Sequence, residues 1–248
     1  MLPSDTPLEP DPMTVAAPAE HDSAGAAEGS IVDISINERT FGIRAADIDA
    51  QRNSASMLIN KMYAWRGYAG GQQIGADPNK ITLTASDKDE VIGTVSLGLD
   101  GEVGLLADQV FRDRLAPYRA RGATVCEIIK LAIDPSIKSK SVLASLFHVA
   151  FIYGRYLHGC SDIFIEVNPR HRRFYQGMLG FTVECDTRPN PRVEAPAVLL
   201  HLDMAYCAEQ IARFGGTSAN PGNERSLYPF VFSPREEAGI IERLRVIG

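Results

Sequence analysis

The chain has 248 residues, 45% of them hydrophobic and 23% charged, with a formal net charge of −6. It is long enough to bury a sizeable core in one domain with appendages, and its acidity argues against a nucleic-acid partner. Four cysteines (Cys126, Cys160, Cys185, Cys207) lie far apart with no CxxC pair and no histidine at ligand spacing, so no metal site is expected.

Residues 1–30 are rich in Pro, Ala and acids, with no Lys or Arg before Arg39. Such a segment buries too little apolar surface to offset its ordering entropy, so it is expected to be disordered or to dock on a neighbouring surface. It lacks the basic region and apolar stretch of a secretory signal. No later apolar run reaches the ~18–20 residues of a membrane helix, and a reducing cytoplasm is the expected compartment. A central domain is expected over 31–206 and a helical extension over 207–248.

Ile31–Ile36 alternates weakly and Thr40–Arg44 reads as a strand. A helix is expected from Asp47, because Ala55, Leu58, Ile59, Met62 and Tyr63 form one apolar stripe. Trp65, Tyr68 and Gly70-Gly71 then make an aromatic, Gly-punctuated loop. Lys80–Ser86 and Glu90–Leu99 alternate as two strands of a hairpin across SDKDE. After a loop or short strand over Gly101–Leu106, the run RDRLAPYRARG sets Arg112, Arg114, Arg119 and Arg121 against one acid, Asp113. It is either a solvated face or the mark of an anionic partner.

Val125–Asp134 is an apolar strand interrupted only by Glu127 and Lys130, with Cys126 a small buried hydrophobe. Pro135 and the turn SIKSKS break it; a core helix follows over Val142–Leu157, then the strand DIFIEVNP and the short helix RHRRFYQGMLGF. This alternation makes the first two of these strands parallel neighbours joined by a crossover helix. Ligands on such sheets bind where strands diverge at their carboxyl ends, with anions favoured at the helix start. Ala205–Phe214 reads as a helix stopped by Gly215-Gly216, and Pro234 opens a last amphipathic helix to about Val246. This tail either caps the core or pairs with another subunit.

Asn168, Phe174-Tyr175 and Gly180-Phe181, behind strand, turn, helix and strand, resemble the second half of the GCN5-related N-acyltransferase (GNAT) fold. GTVSLGLD, GLLAD, RDRLAPYRARG, CEIIKLAID, VNPRHRRFYQGMLGF and PAVLLHLDM stand in the order seen in long-chain N-acyl amino acid synthases. Those enzymes are relatives of the acyl-homoserine-lactone synthases, and the resemblance runs from about Arg44 to Met204. It implies an α/β (α+β) fold, a mixed central sheet flanked by helices with strands splayed at a pantetheine site. It also implies N-acyl transfer from the 4'-phosphopantetheine thioester of an acyl carrier protein, or from acyl-coenzyme A, to an amino acid, with no tightly bound cofactor.

Amide formation from a thioester needs a neutral amine, a proton acceptor and donors for the developing oxyanion. No Ser/His/Asp or Cys/His arrangement is visible, so direct transfer fits better than an acyl-enzyme. Glu127 is the candidate base, since a carboxylate in an apolar strand is costly unless it faces a cleft or a partner; the alternative is a structural pair with Lys130 or an Arg. The resembling enzymes carry a Glu at this strand position. The resemblance also makes Tyr175 a candidate acid for the leaving thiolate, against a packing role, and places oxyanion donors near Leu131 and Ala132. It adds Asn168 to the acyl-donor residues; Met62, Trp65 and Tyr68 either belong to a core-facing helix and its exit turn or, as the resemblance implies, cover an acyl or acceptor pocket. The turn PSIKSKS has no Gly for the close approach a pyrophosphate needs, but Lys138, Ser139 and Lys140 could take the single phosphate of a carrier-bound pantetheine. Lys130 could meet an acceptor carboxylate. Arg112, Arg119, Arg121, Arg170, Arg172 and Arg173 form the expected patch for an acidic carrier protein. The competing readings are a coenzyme-A-dependent N-acetyltransferase or lactone-type signal synthase, and a non-catalytic module that senses an acyl ligand.

Overall fold

A computed structural model describes residues 34–35, 41–65, 73–88 and 90–247 of the chain. The segment 1–30, the Trp65 side chain and Tyr68 lie outside the described residues. The strands are β1 (Ile34–Ser35), β2 (Gly42–Ala45), β3 (Lys80–Asp87), β4 (Glu90–Leu99), β5 (Val125–Ile133), β6 (Asp162–Val167), β7 (Thr182–Val183), β8 (Arg188–Asn190) and β9 (Ala195–Asp203). The helices are α1 (Asp49–Trp65), α2 (Asp108–Ala120), α3 (Lys140–Ile152), α4 (Arg172–Leu179), α5 (Met204–Phe214) and α6 (Pro234–Ile247). The sheet runs β1-β2-β3-β4-β5-β6-β9-β7, with β8 also pairing β9. Its pairs are antiparallel apart from β5 and β6, which α3 joins as a parallel crossover. This is the α/β fold with a mixed central sheet flanked by helices.

Strand alternation sends the core to both faces of the sheet. On one face Cys126, Ile128, Ile163 and Ile165 pack with α3, α4, α5 and α6. On the other, Val125 and Phe164 pack with Phe111, Leu115 and Tyr118 of α2, while Ala132 packs with Leu58, Ile59, Met62 and Tyr63 of α1. The phase of β5 changes midway. Lys130 adopts φ 52, the register with β4 shifts between Thr94 and Ser96, and beyond this bulge Leu131 and Ile133 join the α3 face. One extra residue in one strand reverses which side chains face which layer.

Capping follows local chemistry. Ser139 accepts from Ser141 N–H at the start of α3, Asp203 from Ala205 and Tyr206 N–H at α5, and Gly180 ends α4 at φ 83. The basic run after Leu106 is a helix, α2, kinked at Phe111 and buried through Phe111, Leu115 and Tyr118. The tail caps the core: Leu227, Tyr228, Phe232, Ile240 and Leu244 belong to the α3-face cluster. His148 of α3 accepts from Phe232 N–H at 3.1 Å on Nδ1 and meets Glu237 at 3.2 Å through Nε2. Among the described residues no helix is long and apolar enough to cross a membrane.

Candidate active site

The ladder between β5 and β6 ends at Ile128↔Ile165, although β5 continues to Ile133 and β6 to Val167. The two strands therefore part at their carboxyl ends, and the bulge at Lys130 lies inside that opening. Glu127 stands one residue before the last shared rung and three before the bulge, 3% exposed, on the face shared by α1 and α2. Its Oε1 accepts from Leu106 N–H at 2.7 Å and its Oε2 from Ala107 N–H at 3.0 Å. The hydrogen-bond partners of this carboxylate are thus the two amides that enter α2, not the Lys130 or Arg of the alternative reading. Directly opposite on β4 is Gly98, where a Cβ would stand 2.9 Å from Glu127 Cγ, so only glycine leaves the carboxylate its room.

Burial pushes the Glu127 carboxyl up to about 7; the two amides and Arg192 pull it down, and the charge of Glu166 pushes it further up. Glu166, on β6, is itself 4% exposed and accepts from Arg192 Nη2 at 2.5 Å and from Asn190 Nδ2. Burial raises its carboxyl too, while Arg192 and Asn190 lower it. Arg192 Nη1 donates to Leu106 O at 3.2 Å, and Val193 beside it packs against the α1 cluster. The turn from β8 to β9 thus spans the polar seam between the α1 and α2 clusters. The sequence reading missed Glu166, Asn190 and Arg192. An acid inside the apolar run DIFIEV carried the same signal as Glu127, whereas Arg192 in a Pro-rich turn carried none.

The other residues fall in several places. Lys130 is 7% exposed, and its Nζ donates to Gln73 O at 3.1 Å. Leu131 and Ala132 are buried beside the bulge, and the buried Thr94 Oγ1, opposite Ala132, has no hydrogen-bond partner among the described residues. Met62 is 2% exposed in the α1 cluster. Tyr175 is fully buried among Phe147, Phe174 and Phe181 on the α3 face, the opposite side of the sheet from Glu127. Ser139 caps α3 and Lys138 and Lys140 are exposed beside it. Their turn is anchored by Asp134, which accepts from Ser136 and pairs with Lys61 at 2.8 Å. Asn168 accepts from Arg170 N–H and caps the turn before α4.

The expected arginine patch divides. Arg119 is spent on Asp100 and Asp108, at 2.7 and 2.6 Å, and Arg121 stacks 3.8 Å over the Tyr118 ring while reaching Asp162 at 3.3 Å. Arg112, Arg170, Arg172 and Arg173 are exposed. An open cleft of about 340 Å³ brings Arg114 and Arg172 together, 58 positions apart in the chain, with Glu184 and Asp186 on its rim.

A profile of the family described as N-acyl amino acid synthase FeeM matches residues 54–203. Among solved structures, FeeM from uncultured soil microbes is 25% identical, covering 68% of this chain and 93% of its own, with a TM-score of 0.60. The AHL synthase LasI shares the fold at 11% identity, covering 66% of this chain and 90% of its own, with a TM-score of 0.50. The CoA-dependent acyl-homoserine lactone synthase MesI is 16% identical over 62% of this chain and 81% of its own, at a TM-score of 0.43. Among curated proteins none matches.

Proposed function

The chain belongs to the N-acyl amino acid synthase FeeM family, a family of N-acyltransferases, and on that premise we propose that it joins a long-chain acyl group, delivered as the pantetheine thioester of an acyl carrier protein, to the amine of an amino acid. The observation that carries this reading is Glu127, a buried carboxylate held near neutrality where two parallel strands part. A base whose pKa lies near the working pH is the kind that takes a proton efficiently from an attacking amine.

The proposed reaction is direct. The amine nitrogen attacks the thioester carbonyl carbon as the C–N bond forms, and the oxyanion is met by amides near Leu131 and Ala132. Glu127 takes the nitrogen's proton, directly or through one water, and the C–S bond then breaks. The proton collected by Glu127 is the one the departing thiolate needs, so the balance closes without a second acid. Tyr175, enclosed behind the sheet, contributes packing in this scheme. Lys130, whose Nζ donates to Gln73 O, is the proposed partner of an acceptor carboxylate, and Lys138, Ser139 and Lys140 at the start of α3 are the proposed partners of a single pantetheine phosphate. The exposed Arg112, Arg170, Arg172 and Arg173 are the proposed docking surface for the acidic carrier.

Lipid extracts of cells overexpressing the chain test the reading. New N-acyl amino acids by mass spectrometry, absent with Glu127→Gln, are the expected result. Acetylated small molecules or lactones in their place would overturn it.

A further inference from the structure

The geometry points to Glu166 as a positioning residue for Glu127: an anion fixed beside it by Asn190 and Arg192, whose charge governs when Glu127 holds its proton. The inference rests on the proposed reading of Glu127 for its catalytic consequence, though not for the coupling itself. Glu166 is the first residue of β6 past the last rung shared with β5, two positions on from Phe164, the partner of Glu127, and so on the same face. Its side chain therefore lies on the Glu127 face, at the mouth of the opening. It is not there by default, since Asn190, 1% exposed, and Arg192, with a side chain 6% exposed, each donate to one of its oxygens.

One residue, Leu106, joins the two carboxylates. The Leu106 N–H donates to Glu127, and the Leu106 carbonyl accepts from the guanidinium that holds Glu166. Among the described residues, the charged groups that act on Glu127 are Glu166 from β6 and Arg192 from the β8–β9 turn; Asp108, paired with Arg119, follows Leu106 and Ala107 at the start of α2, and Lys130 lies three residues along β5. With both carboxylates ionised the cluster of Glu127, Glu166 and Arg192 carries one uncompensated negative charge away from water. A buried ion pair is a poor source of net stability, so the effect of Glu166 and Arg192 is chiefly local. Burial raises the Glu166 carboxyl, but its two donors, Arg192 Nη2 and Asn190 Nδ2, favour the ionised form, and an ionised Glu166 makes the neighbouring carboxylate reluctant to lose its proton.

The test follows Glu127 itself by carbon-13 carboxyl NMR across pH in the glutamate-labelled full chain, with its resonance assigned through Glu127→Gln. The acid limb of kcat/KM is recorded alongside. Glu166→Gln is expected to move the Glu127 midpoint down by roughly one pH unit and to carry the acid limb with it, while Glu166→Asp, which keeps the charge, restores most of the shift. A merely structural Glu166 would lower kcat at all pH values and leave both midpoints where they were. Glu127 is still protonated where Glu166 ionises, so Glu127→Gln should leave the Glu166 midpoint in place; if Glu166→Gln does not fold, Glu166→Met, uncharged and of similar volume, takes its place with the same downward shift of the Glu127 midpoint expected. An unmoved Glu127 midpoint overturns the inference even if Glu127→Gln is inactive. A midpoint that moves while the rate does not follow supports the coupling and removes Glu127 as the base.

Discussion

At the scale of a residue, Glu127 works against itself. Its ordinary value of 4.5 is raised to about 7, mainly by burial, so the folded chain keeps a proton that the unfolded chain releases. The stability contributed by this group is fully present below about pH 4.5 and is lost as pH rises through 7. At 1.36 kcal/mol per unit that difference is worth about 3 kcal/mol. Catalysis needs the other form, so turnover should climb over the same range in which this group's stability fades. Glu127→Gln should flatten the pH dependence of stability between 4.5 and 7, as read by urea unfolding at several pH values. It should also lower kcat by about 100-fold or more while leaving acyl-donor binding largely intact. Because an amide offers its NH₂ to one of the two loop N–H donors, the variant should be about 1–3 kcal/mol less stable at low pH. Unchanged turnover would remove Glu127 from the mechanism.

Elements decide which side chains are free to act. β4 crosses β5 with Gly98 opposite Glu127, and Gly98→Ala sets a methyl 2.9 Å from Glu127 Cγ. Turnover should fall far more than the melting temperature, because the strand tolerates a methyl where the carboxylate does not. Helix α2 separates two kinds of arginine that look alike in the sequence. Arg119 clamps the loop that carries the Leu106 and Ala107 amides, through Asp100 and Asp108. Arg119→Met should cost about 2 kcal/mol in denaturant unfolding, below the full cost of breaking a sealed pair because Arg119 is 28% exposed. Carrier use should keep its salt dependence in that variant. Arg172 and Arg173 point outward on α4, so reversing both to Glu should leave stability nearly unchanged and weaken both carrier use and its salt dependence. Loss confined to free coenzyme A thioesters would mean that the surface serves another ligand.

For the whole molecule, the family match ends at residue 203, yet the core does not. Phe232 is fully buried, Tyr228 donates to Leu179 O at 2.7 Å, and Ile240 and Leu244 complete the layer beneath α3. Removing residues 215–248 should expose this layer and yield insoluble or unfolded protein, with circular dichroism and solubility as the readout. Phe232→Ala alone should cost about 3–5 kcal/mol and lower the unfolding midpoint. A truncated chain with native spectra and stability would show the tail to be dispensable.

The sequence by itself determined the order of elements, because apolar period, Gly and Pro are local signals. The hairpin across SDKDE, the α1 stripe, the crossover helix and the oddity of an acid in VCEIIKLAID were all legible there. It also carried the family's motifs in order. What the tertiary structure decided were matters of distance in space. Only packing could show that Glu127 meets two loop amides rather than Lys130, that Arg119 is consumed by acids 11 and 19 positions away, and that Arg192 comes to lie between Glu166 and Leu106. A partner's identity depends on which strands adjoin and where a bulge reverses their faces. No window of neighbouring residues encodes that, because it emerges only when the sheet has closed and water has left.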